Sequence, residues 1–151
     1  MSLIYADTSA LIAYLHPRDL FSVAVAAAVT QASPDFVYWS FLRFELRHNL
    51  RMLRMDSFGE TAWRALRSAE KTAMRLRWQT DLTADKILDA AEELSAEAAN
   101  EMDCGAADYL HVAAARRMNL LSGIGEFWTC DGSQAKLARA VGLKIRLFKR
   151  L

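Results

Sequence analysis

The sequence predicts an α/β protein with a central, mainly parallel sheet of four to five strands flanked by helices. Three observations carry this. Short apolar, β-prone runs alternate with longer stretches of helical period, the signature of strand–helix–strand units. Two of the short runs, Leu3–Ala6 and Glu126–Cys130, lead into an aspartate followed by a helix start. No repeat, low-complexity tract or linker divides the 151 residues, which suit one domain spanning 1–151.

The elements follow in order. Leu3–Ala6 is a buried strand, and Thr8 and Ser9 are N-cap types before a helix over Ala10–Leu15. Pro17 stops that helix, because the residue before a proline disfavours the helical region. Leu20–Thr30 is Ala-rich and apolar on several sides, a well-buried helix, and Ser33-Pro34-Asp35 is a turn. Phe36–Trp39 is the second strand. Ser40 caps a helix running to about Met55, with Leu42, Leu46, Asn49, Leu50 and Leu53 on one face. Arg43, Arg47, Arg51 and Arg54 form a separate basic stripe. Asp56–Gly59 is a break before a helix over Glu60–Leu76, with Trp63, Leu66 and Met74 on its apolar side. Trp78–Leu82 is a short extended segment. Thr83 caps a helix to about Asn100 that turns Ile87, Leu88, Ala91, Leu94, Ser95 and Ala98 inward. Gly105–Met118 is a further helix. Glu126–Cys130 is a strand, Ser133–Val141 a helix closed by Gly142 in the left-handed role, and Lys144–Leu147 a last strand.

Composition narrows the function. With 53% hydrophobic and 25% charged residues the chain is globular, and no apolar run approaches the ~20 residues of a membrane span. There is no secretory signal, and Cys104 and Cys130 form no metal or redox motif, so a cytoplasmic setting is expected. The net charge of +1 hides an uneven distribution. Nine bases and four acids lie between Arg43 and Arg77, nine acids and one base between Asp81 and Asp108, and eight bases and two acids beyond.

Ligands of open α/β sheets sit beyond the carboxyl ends of the strands. Asp7 and Asp131 are expected on that rim, although either could serve only as a helix cap. Glu45 and Asp108 lie near helix starts, and Asp108 is an acid on a largely apolar helix, where carboxylates are rarely buried without a partner. Four convergent carboxylates would repel one another, and a divalent cation removes that penalty. All-oxygen ligands select Mg²⁺ or Mn²⁺, and such a site suits in-line displacement at phosphorus.

These residues carry a resemblance. Asp7-Thr8-Ser9-Ala10-Leu11, Glu45, Ala107-Asp108-Tyr109-Leu110-His111-Val112-Ala113-Ala114-Ala115, and Thr129-Cys130-Asp131 with Gln134–Leu143 resemble a PIN domain. More narrowly the chain is similar to the VapC-type toxin ribonucleases of toxin–antitoxin pairs. The resemblance covers nearly the whole chain in the right order. It implies a PIN-like fold and an Mg²⁺- or Mn²⁺-dependent endoribonuclease with Asp7, Glu45, Asp108 and Asp131 as its acidic quartet. Ser9 and Thr129 match hydroxyl positions beside the metal. It further implies a homodimer and a cognate antitoxin. Trp63 and Trp78 offer a docking surface for that partner, and the Arg43–Arg47–Arg51 stripe could hold RNA phosphates. Trp39, Phe41 and Trp128, next to motif residues, could stack on bases, but core packing suits at least two of them better. Asp103 competes for the role of Asp108, and Ser122–Glu126 is longer than the family pattern. A non-catalytic PIN-fold binding module and a housekeeping RNA-processing nuclease are the alternatives. A haloacid-dehalogenase site is excluded because Ser9 stands where a second aspartate is needed. A receiver domain lacks its early acid pair.

Overall fold

The computed structural model describes all residues except Met1, Met55 and Ala99. Five strands form one sheet: β1 (Leu3–Ala6), β2 (Asp35–Tyr38), β3 (Leu76–Trp78), β4 (Phe127–Thr129) and β5 (Ile145–Leu147). Their order is β3-β2-β1-β4-β5, with every pairing parallel. Parallel neighbours require crossover helices, and these are α1 (Thr8–Leu15), α2 (Ser22–Ala32), α3 (Ser40–Leu53), α4 (Ser57–Thr72), α5 (Ala84–Ala98), α6 (Ala106–Ser122) and α7 (Gly132–Ala140). The α/β class and the parallel sheet are as expected. The chain builds outward from β1 through β2 to β3, then crosses back to add β4 and β5 on the other side. The order therefore reverses at β1, and a crevice opens between the ends of β1 and β4.

The core is the two faces of this sheet. Tyr5, Phe36, Trp39, Phe127 and Trp128 are fully buried. Tyr5 stacks on Phe127 and Phe36 meets Trp128 edge-on. Leu42, Leu46 and Leu50 seat α3, which with α1 and α4 makes one layer; α5 packs on α6. Trp39 and Trp128 are thus core, as expected. Among the described residues no helix is long and apolar enough to cross a membrane.

Several local expectations need correction. Asp7, not Thr8 or Ser9, is the N-cap of α1, accepting the Ala10 amide at 2.9 Å. Trp39 stands at the N-cap of α3, with no side-chain cap from Ser40. The expected end of α3 at Met55 lies outside the described residues. α2 is less buried than its composition suggests, since only Val25, Ala28 and Val29 are buried and Val23 is exposed. Leu88 faces solvent rather than the core. α4 stops at Thr72 because Ala73 turns left-handed (φ 50°), which exposes Met74 and frees Leu76–Trp78 to pair with β2. Asp56 and Gly59 do not merely break the chain. Asp56 caps α4 by accepting the Gly59 amide at 2.7 Å. Gly59 lets α4 press against the end of α3, where a Cβ would lie 1.8 Å from the Leu53 carbonyl oxygen.

Candidate active site

The crevice at the β1/β4 reversal is a cleft of about 280 Å³, lined by Asp7, Glu45, Asp108 and Asp131 together with Thr8, Ser9, Asn49, His111 and Gln134. The four acids come from four elements. Asp7 follows β1 and Asp131 follows β4, each capping the next helix. Asp131 is exposed and accepts the Ser133 and Gln134 amides. Glu45 projects from the second turn of α3. Asp108 is the third residue of α6 and accepts the Gly105 amide at 2.9 Å. Capping and lining the cleft are therefore not alternatives for Asp7 and Asp131; the helix start that needs an acceptor is also what aims the carboxylate.

Asp7 is buried, and both its oxygens are engaged. Oδ1 accepts the Ser9 hydroxyl at 2.7 Å as well as the Ala10 amide, and Oδ2 accepts the Thr129 hydroxyl at 2.6 Å. Ser9 in turn accepts the Cys130 amide at 3.0 Å, and Thr129 accepts the Asp131 amide at 3.0 Å. The two hydroxyls thus tie the end of β1 to the end of β4. Thr129 has one proton, and the shorter contact to Asp7 takes it, leaving Gln134 Oε1 3.1 Å away. Gln134 spans onward, its Nε2 donating to Asp108 Oδ1 at 3.2 Å.

Burial pushes the Asp7 carboxyl above its ordinary range, against hydrogen bonds that favour the charge. Burial also raises Asp108, and the nearby charges of Asp131 and Glu45 push the same way. For Glu45, burial opposes ionisation, but the His111 imidazole, 2.9 Å away, outweighs it through its hydrogen bond and its electrostatic pull and holds the carboxyl below its usual range. No lysine or arginine lines the cleft. The thiols are not nucleophiles: burial pushes Cys130 up to about 12 and Cys104 to about 11.

The donor set, all carboxylate and hydroxyl, fits Mg²⁺ or Mn²⁺ in chemistry. Among the described residues, however, no three His, Cys, Asp or Glu side chains form a group that could hold an ion as it stands. Each of the four carboxylates has a hydrogen-bond partner within the protein.

The sequence reading did not single out two residues of the cleft. His111 is buried, with Nε2 2.9 Å from Glu45 Oε1. Its signal was its place three residues after Asp108 on the same Ala-rich helix face. Gln134, which links Thr129 to Asp108, had no comparable signal. Asp103 does not line the cleft. The arginine stripe is elsewhere too. Arg47 forms a bidentate pair with Glu70, whose oxygens also meet Tyr38 and Arg67. Arg43 lies over Trp78, and Arg51 and Arg54 over Trp63. α3 thus turns Glu45 to one side and its arginines to another, with the leucines between.

No family model matches this sequence, and no curated protein matches it. Solved structures do. The chain is similar to a chain of the VapBC2 structure from Rickettsia felis, bound to a DNA fragment from their promoter. The identity is 15%, covering 97% of this chain and 99% of that one, with a TM-score of 0.64. It is also similar to a chain of FitAcB from Neisseria gonorrhoeae, at 16% identity over 94% and 95% and a TM-score of 0.54. At such identities the likeness establishes the fold, and that fold is the PIN-like arrangement of a parallel five-stranded sheet between helices.

Proposed function

We propose that this protein is an Mg²⁺- or Mn²⁺-dependent endoribonuclease, the toxin of a toxin–antitoxin pair. The observation that carries the reading is the convergence of Asp7, Glu45, Asp108 and Asp131 on one cleft that, among the described residues, no lysine or arginine lines. The likeness to a chain of the VapBC2 structure supports the partner assignment. In this reading the four acids hold the metal, and Ser9 and Thr129 fix the orientation of Asp7. When bound, the metal supplies activated water and stabilises charge on the phosphate. Gln134 keeps Asp108 facing the same space. Exposed Arg43 and Arg51, which lie over Trp78 and Trp63, bind the RNA backbone outside the cleft; Arg47 braces α3 against α4. The protein works in the cytoplasm as a homodimer restrained by an antitoxin that docks near Trp63 and Trp78.

A second reading, a PIN-fold module that binds RNA or protein without cleaving it, is favoured by one observation. Every carboxylate of the cleft already has a partner within the protein. Purified protein and labelled RNA separate the two. Cleavage in Mg²⁺ or Mn²⁺ that EDTA stops and Asp7→Asn abolishes is expected. RNA left intact with both ions refutes the nuclease reading, and retention of that RNA on the protein then establishes the second.

A further inference from the structure

We propose that His111 is the positioning residue for Glu45, held in its Nε2-protonated form by Tyr5 and Trp39; the inference deepens the nuclease reading and rests on it. Four side chains form a continuous line, buried from Trp39 to His111 and opening to the cleft at Glu45. The Trp39 indole Nε1 donates to the Tyr5 hydroxyl at 2.9 Å, Tyr5 lies 2.9 Å from His111 Nδ1, and His111 Nε2 lies 2.9 Å from Glu45 Oε1. Counting protons along this line fixes the imidazole. An indole N–H only donates, so the Tyr5 oxygen accepts there. Its own proton must go elsewhere, and Tyr5 is wholly buried, with burial holding the phenol in its protonated form. His111 Nδ1 is the acceptor within reach. Nδ1 is then unprotonated, and the ring proton sits on Nε2, facing the carboxylate.

The other tautomer fails. A proton on Nδ1 alone would strand the Tyr5 proton in the core and set the bare Nε2 lone pair against Glu45 at 2.9 Å, with only the Thr8 hydroxyl, at 3.4 Å, to meet it. The line therefore delivers an N–H to Glu45 from a rigid base: Tyr5 on β1, Trp39 at the end of β2, His111 on α6. Phe41 borders the ring on another side, 5.3 Å between centroids. Glu45 sits at the half-exposed edge of α3, and this hydrogen bond sets which way its carboxylate points.

Two measurements on the full chain test it. Long-range ¹H–¹⁵N spectra of the ring nitrogens of His111 read the tautomer without metal or substrate. Nε2 protonated and Nδ1 bare in the wild type, with that preference lost in Tyr5→Phe, is expected; a proton on Nδ1 overturns the proposal. Mn²⁺ titration reads the consequence. His111→Ala weakens Mn²⁺ binding by about 10- to 100-fold, the usual effect of removing an outer partner of a metal ligand. His111→Gln places an amide N–H where Nε2 was and restores most of the affinity. A folded His111→Ala protein that binds Mn²⁺ as tightly as wild type overturns the proposal, as does equal loss in both variants. Absence of Mn²⁺ binding by the wild type would instead refute the metal reading, and the tautomer measurement would still decide the placement of His111.

Discussion

Replacing Asp7 by asparagine should make the protein more stable while removing its capacity for metal. Asp7 is buried with no ion pair among the described residues, and burial raises its carboxyl against the pull of nearby His111 and three donors at 2.6–2.9 Å. Ionised Asp7 therefore weakens the fold at neutral pH. Asparagine removes the charge and can keep the network. Its oxygen still accepts the Ser9 hydroxyl and the Ala10 amide, and its amide donates to Thr129. The Thr129 proton then turns to Gln134 Oε1, 3.1 Å away. The net gain should be about 1–2 kcal/mol, a buried charge's surplus over its hydrogen bonds. At about 2–4 °C per kcal/mol for a chain of this size, Tm rises by about 2–8 °C. The pH dependence carries the sign. A carboxyl raised on folding stabilises the native state below its unfolded pKa, and that contribution is lost as pH rises through the folded value. The gap between variant and wild type should therefore open from acid to neutral pH. The assay is Tm by circular dichroism at several pH values in EDTA, then with Mn²⁺. Mn²⁺ should raise the wild-type Tm and leave the variant unmoved. A variant less stable than wild type at neutral pH, with a gap that does not depend on pH, refutes the reasoning.

Thr129→Val keeps shape but strips the donor from Asp7 and the acceptor from the Asp131 amide; a loss of about 1–3 kcal/mol in urea unfolding is expected. Gly59→Ala forces a methyl into the Leu53 carbonyl and should cost about 1–3 kcal/mol or more, and unchanged stability would mean that α3 and α4 do not meet this closely. Arg47→Ala leaves Glu70, whose side chain is 9% exposed, with only Arg67 and Tyr38. Stability should fall by about 1 kcal/mol, since the arginine is partly solvated, while the salt dependence of RNA binding stays as in wild type. By contrast, Arg43→Ala and Arg51→Ala should each lower the salt slope of RNA binding by about one and leave folding stability within about 0.5 kcal/mol.

The fold was legible because periodicity survives folding. Leu3–Ala6 and Phe127–Thr129 read as strands because they are apolar on both faces, which a covered parallel sheet demands. β3 was not legible. Leu76-Arg77-Trp78 is three residues long with a charge at its centre, and it follows a helix that ends on a left-handed alanine rather than a glycine. The four acids could be picked out singly from their positions. That they share a cleft was implied by the resemblance and not by their spacing, because it depends on the reversal of strand order at β1. His111 was hidden for a different reason: on an Ala-rich helix a buried histidine looks like core, and its partners Tyr5 and Glu45 are 106 and 66 residues away.

The tie between Thr129 and Asp7 joins residues 122 positions apart, and this sets when the pocket comes into being. The surroundings of Asp7 stay incomplete until β4 and the start of α7 have been made and have folded against β1. Any chain that stops short of β4 lacks a wall of the cleft, however well its first half folds.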